Sequence, residues 1–199
     1  MTTAAAPLDT REHILANGQR IMAGKGFSAV GINEILTAAG VPKGSFYHYF
    51  GSKDAFGEAL LDTYFDDYLA ELDATLQDGT HTASQRLMTY FAHWQDTQSF
   101  FDCQGKCLAV KLGAEVADLS EAMRLSLKRG TAGIVDRLTQ AIDAGVADKS
   151  LKIAGASKDM AQSLYQLWLG ASLMVKISRT TQPFETAMAT TRQMLHLPR

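Results

Sequence analysis

Several things are scarce in this chain of 199 residues, and each scarcity narrows what it can be. Its only cysteines, Cys103 and Cys107, are too few for a disulfide scaffold. No second Cys or His pair at ligand spacing joins them, so a zinc site is not expected. Four prolines and the lack of any alternating apolar–polar run argue against strands and for helices. No apolar stretch approaches the roughly eighteen residues that cross a bilayer. Met1–Pro7 lacks the basic and apolar regions of a secretion signal, so the expected location is the cytoplasm, with residues 1–8 a flexible N-terminus. The five histidines, His13, His48, His81, His93 and His196, fall in no catalytic motif; neither an enzyme nor a cofactor is expected. The net charge of −2 does not advertise a polyanion-binding surface. Residues 1–53 nevertheless carry five basic against three acidic side chains, so the positive charge gathers at the front.

What is present is helical periodicity cut by glycine. Asp9-Thr10-Arg11-Glu12 has the spacing of a capping box, followed by Ile14, Leu15, Ile21 and Met22 at helical intervals. Gly24-Lys25-Gly26 should stop that helix. A short helix is expected over 32–39 with Ile32, Ile35 and Leu36 inward, ended by Gly40. Pro42 suits the first turn of a third helix reaching about Tyr49. A long helix over 53–77 would bury Phe56, Leu60, Leu61, Tyr64, Tyr68 and Leu72. Further amphipathic segments lie at about 82–100, 106–117, 120–144, 157–179 and 184–195. The expected fold is all-α with about nine helices.

Ile35 to Ser45 contains the parts of a helix-turn-helix: small Ala38 and Ala39, a turning Gly40, Val41 to fill the angle, then Lys43, Gly44 and Ser45 opening a second helix. A cation, a bare backbone and a hydroxyl at a helix start suit phosphates and base edges. The run Val41-Pro42-Lys43-Gly44-Ser45-Phe46-Tyr47-His48-Tyr49-Phe50-Gly51-Ser52-Lys53 resembles the recognition-helix signature of the tetracycline-repressor (TetR) family, over about residues 9–60. The resemblance implies a repressor acting as a homodimer on palindromic operator DNA. Residues 9–53 would form the DNA-binding domain and 54–199 an effector-sensing and dimerisation domain. Position by position it implies Lys43, Gly44, Ser45, Tyr47 and Tyr49 as DNA contacts, with Asn33 and His48 beside them and Lys53 holding a phosphate. Phe46 and Phe50 are expected in the core. The last two helices, about 157–179 and 184–195, take the family's dimerisation position.

Gln104 to Ser120 and Leu164 to Arg179 resemble a branch of that family that senses electrophiles. There a reactive cysteine matches Cys107 and a lysine matches Lys176; Cys103 has no clear counterpart. Cys107 follows Gly105, where a helix should begin, and the free N–H groups of a first turn favour a thiolate. Such a thiolate attacks quinones, maleimides or aldehydes, or oxidises to a sulfenic acid. Tyr165 and Trp168, on the same helix as Lys176, are the effector-domain aromatics best placed to meet an effector. Others at helical spacing, among them Trp94, Met88, Phe91, Met123 and Met174, suit a core at least as well. Two readings of the switch stay open: covalent modification of Cys107, or reversible binding of a small hydrophobic ligand.

Overall fold

The structure, a computed structural model, describes residues 9–98 and 107–197. Three short helices come first: α1 (Thr10–Lys25), α2 (Ile32–Ala39) and α3 (Lys43–Tyr49). Gly26 ends α1 at φ +94°, and Gly40 ends α2 in the left-handed region at φ +63°. There the N–H of Val41 donates back to the Leu36 carbonyl at 3.2 Å, the closing bond of a Schellman turn. Asp9 stands before α1, but its side chain makes no capping bond, so the expected capping box with Glu12 is not formed. A side-chain cap does form at Ser52, whose Oγ accepts from the Ala55 N–H at 3.0 Å and starts α4 (Lys53–Leu76).

The first turn of α4 completes the core of this head. Phe56 packs on Phe46 and Phe50, with ring centroids 5.4 and 5.1 Å away, and all three are buried. The helix then continues unbroken into the body, burying Leu60, Leu61, Tyr64, Phe65 and Leu72; Tyr68 is only half-buried.

The body adds α5 (Ala83–Gln98), α6 (Leu108–Leu119), α7 (Glu121–Ala147), α8 (Ser157–Ser178) and α9 (Gln182–Met194). The central helix, α7, packs against α4, α5, α6 and α8. Its close approach to α4 depends on Gly130, where a side chain would collide with the Phe65 ring. Arg137 and Asp73 clasp the same two helices through paired bonds of 2.8 and 2.9 Å. Trp168 fills the middle of the body. It stacks between Phe91 and Phe184 at 5.0 and 5.7 Å, and its indole N–H donates to Thr191 Oγ1 at 2.9 Å. That bond ties α8 to α9 and satisfies a polar group that would otherwise be costly to bury. Among the described residues there is no strand and no helix long and apolar enough to cross a membrane.

Candidate functional site: a recognition helix and a cysteine-lined cleft

On α3 two faces divide by chemistry. Phe46 is wholly buried and Phe50, just past the helix, nearly so, while Lys43, Gly44, Tyr47, His48 and Tyr49 are exposed and Ser45 is half-buried. Lys43 and Tyr47, one turn apart, share an outward face, the ammonium 5.8 Å from the ring centroid. His48 and Tyr49 meet edge-on at 4.8 Å. Asn33, exposed near the start of α2, completes the outward groups. Steadying this surface, His13 on α1 donates to the Ala39 carbonyl at 3.0 Å, across the end of α2.

Lys53 is placed differently from the rest. Its ammonium donates to the Phe27 carbonyl at 2.7 Å and sits 4.5 Å from the centroid of that residue's ring. In this state it therefore turns toward the α1–α2 connection, and holding a phosphate would require it to leave or share that carbonyl.

A cleft of about 900 Å³ separates head from body. Ala16, Gln19, Arg20 and Ala23 of α1 form one side; Tyr64, Tyr68, Trp94, Gln98 and Cys107 stand among the residues of the other. Cys107 is 6% exposed and occupies the N-cap position of α6. The helix thus starts one residue beyond the cysteine, close to where the sequence put it. The expected ionisation is reversed, however. Burial pushes the thiol above its ordinary pKa, and this outweighs the N–H groups of Val110 and Ala109, the Tyr64 hydroxyl and the Lys176 ammonium, which all favour the thiolate. No side-chain capping bond of ordinary geometry is closed by the sulfur. The thiol is therefore mainly protonated at rest at neutral pH.

The structure brings Lys176 and Cys107 within electrostatic reach, although they lie on α8 and at the head of α6. Tyr165 is buried with its hydroxyl unpartnered, and burial raises its pKa first of all, with the Cys107 charge next. It is not among the residues that line the cleft, and neither is Trp168, which is committed to the core. Of the other aromatic and methionine residues read from the sequence, Trp94 lines the cleft, Phe91 and Met123 are buried, and Met174 is exposed on α8. Cys103 lies outside the described residues, as do Gly105 and Lys106. No group of three or more His, Cys, Asp or Glu suited to a metal occurs among the described residues.

One residue with a direct hold on the head escaped the sequence reading. Glu115, two turns along α6 from Cys107, accepts from the Phe27 N–H at 3.0 Å and the Ser28 N–H at 2.7 Å. Burial works against its charge, but hydrogen bonds from Ser28 and Phe27 and the nearby Lys53 charge prevail and lower its pKa. Its carboxylate lies 3.0 Å from where a Cβ on Gly26 would stand. Gly26 is thus required twice, for its positive φ and for the room it leaves this carboxylate. Nothing local marks such a contact, because its partners are backbone N–H groups 87 and 88 residues away.

Comparison with known proteins accounts for both halves. Residues 14–60 match the model of the bacterial regulatory proteins of the tetR family, and residues 83–191 match a tetracyclin repressor-like C-terminal domain. The chain is 43% identical over 193 residues to the HTH-type transcriptional repressor NemR of Escherichia coli K12, covering 96% of each chain. It is 34% identical to the HTH-type transcriptional repressor DhaR of Mycobacterium sp. GP1, over 88% of this chain and 86% of that one. A crystal structure of the reduced form of E. coli NemR superposes with a TM-score of 0.91 at 42% identity, covering 96% of this chain and 99% of the other. With an exposed recognition helix, two matching domains and full-length relatives, the chain belongs to the TetR family of bacterial regulators.

Proposed function

We propose that this protein is a transcriptional repressor that binds a palindromic operator as a homodimer and releases it when a reactive electrophile or oxidant modifies Cys107. The observation that carries the reading is Cys107 at the N-cap position of α6, inside a cleft whose opposite wall is α1 of the DNA-binding head. A quinone or maleimide entering the cleft accepts the sulfur at its conjugated carbon and takes up the thiol proton; an oxidant such as hypochlorite leaves a sulfenic acid instead. The adduct fills space next to α1. Operator half-sites lie about 34–36 Å apart, so a modest tilt of each head breaks the match. The roles assigned to Lys43, Gly44, Ser45, Tyr47, His48, Tyr49 and Asn33 follow from their outward placement and from the family resemblance. The Lys176 charge favours the thiolate.

Dimerisation is assigned to α8 and α9. Leu173, Met174 and Ile177 form an exposed apolar strip on α8, the kind of surface a soluble monomer rarely leaves open. Leu173→Glu combined with Ile177→Glu should halve the mass measured by light scattering and abolish operator binding at concentrations that saturate the wild type. A double variant that remains dimeric would place the interface elsewhere.

The test of the switch is a gel-shift titration on the intergenic DNA upstream of the gene, with a quinone and with hypochlorite. Wild type should let go of the DNA, and Cys107→Ser should hold it. Equal release from both would favour reversible ligand binding, a reading supported by the size and aromatic lining of the cleft.

A further inference from the structure

Beside its packing on α1, α6 holds the α1–α2 connection through one carboxylate, that of Glu115. Cys107 and Glu115 stand eight residues apart on one helix, about 12 Å along its axis. Leu108, Leu112 and Val116, the inward face of α6, are buried, and the helix packs on α1, α7 and α8. At its far end the two Glu115 oxygens take separate N–H groups, those of Phe27 and Ser28. The carbonyl of Phe27 is taken in turn by Lys53 from the first turn of α4. The Phe27 backbone is therefore gripped on its N–H by an acid from the body and on its carbonyl by a base at the base of the head. Its ring packs toward Gly57, where any Cβ would meet it at 2.6 Å. This segment leads directly into α2, the first helix of the helix-turn-helix.

We propose that Glu115 is the positioning residue through which α6 fixes the α1–α2 connection, and with it the attitude of α2 and α3 toward DNA. In this role Glu115 touches neither DNA nor the thiol. A shift of α6 at its Cys107 end is delivered to Phe27 and Ser28 as a pull on two backbone N–H groups. The proposal rests on the DNA-binding reading for its consequence, but the joint itself does not depend on what the inducer is.

Two variants, Glu115→Gln and Glu115→Ala, test it by three measurements on the full-length protein. Amide hydrogen exchange at Phe27 and Ser28 should quicken about tenfold in both, with the α4 and α7 amides unchanged. Affinity for the upstream intergenic DNA should fall about fivefold or more. Alkylation of Cys107 by N-ethylmaleimide should proceed at the wild-type rate, yet the ratio of operator affinity before and after alkylation should shrink toward one. Should Glu115→Ala prove too unstable to purify, Glu115→Gln, of equal size, carries the test alone. Wild-type affinity and a wild-type ratio in Glu115→Gln would overturn the proposal. If the wild type itself ignores this DNA, the repressor reading has failed on that sequence, and exchange decides the joint separately. Alkylation of wild-type Cys107 that leaves Phe27 and Ser28 exchange unaltered then overturns it.

Discussion

Helices α3 and α8 both carry aromatic residues at helical spacing, and they place them oppositely. On α3, Tyr47 is 48% and Tyr49 36% exposed; on α8, Trp168 is fully buried and Tyr165 is 4% exposed. Size and hydrophobicity do not separate these side chains. Neighbours do. Trp168 finds two rings to stack on and a threonine for its N–H, whereas α3 has only seven residues and gives its one buried position to Phe46. A helix that short cannot bury two faces, so its remaining aromatics stay available for a partner. The same contrast separates two glycines: Gly130 has the Phe65 ring against it, and Gly44 has nothing within 4 Å.

The comparison is broken most severely at Trp168. Trp168→Ala should cost about 3–5 kcal/mol of stability, read by urea unfolding, because it leaves a large void and removes the indole N–H that the Thr191 hydroxyl oxygen accepts. A loss below 1 kcal/mol would mean that α8 does not pack as described. Next in size is Gly130→Ala. In an open helix this exchange gains up to about 1 kcal/mol. Here crowding against Phe65 should reverse the sign and cost about 1–3 kcal/mol. Gly44→Ala, by contrast, should leave the melting temperature level or raise it while weakening operator binding, since a methyl group then stands between helix and DNA.

Chemistry at Cys107 sharpens the contrast between a buried and an exposed reactive group. With its pKa raised by burial, the thiol is mainly protonated below its native pKa, and well below that point each unit of pH raises the thiolate fraction about tenfold. Iodoacetamide labelling of Cys107 should therefore climb about tenfold per pH unit from 7 upward without levelling before pH 9. A plateau near pH 7 would show that the positive influences prevail over burial. The smallest expected effect is on stability at Tyr47. Tyr47→Ala should change unfolding by no more than about 0.5 kcal/mol, as an exposed side chain does, yet cut operator affinity about tenfold. Loss of stability without loss of affinity would reassign Tyr47 to the core.

The head was largely legible in its sequence because its signals are local. Gly40 and Pro42 bracket a turn whose geometry they set themselves, and α2 falls on residues 32–39 in both readings. The start of α1 departs from its sequence pattern: Asp9 and Glu12 have the spacing of a capping box, but the Asp9 side chain makes no capping bond. In the body the helices were legible, and the position of Cys107 at the start of α6 followed from the same kind of pattern. Its ionisation did not, since the depth of a side chain depends on helices far away in the chain. Trp168 illustrates the same gap: its place beside Lys176 on one helix suggests a residue that meets an effector, whereas in the assembled core it faces Phe91 and Phe184 rather than the cleft. Glu115 was invisible for a stronger reason, because the backbone N–H groups it binds are carried by every residue but proline.

The cleft has one wall built from α1, through Ala16, Gln19, Arg20 and Ala23. The opposite side of that helix, through Ile14, Leu15 and Met22, belongs to the core of the head. One helix is therefore inherited by two selective pressures at once. A substitution on its cleft side that widens the range of inducers also alters the platform under α3, so inducer range and operator affinity should drift together in evolution. Anyone re-engineering the response toward a new effector should begin on the α4 and α5 walls, where a change is not also a change in the DNA-binding head.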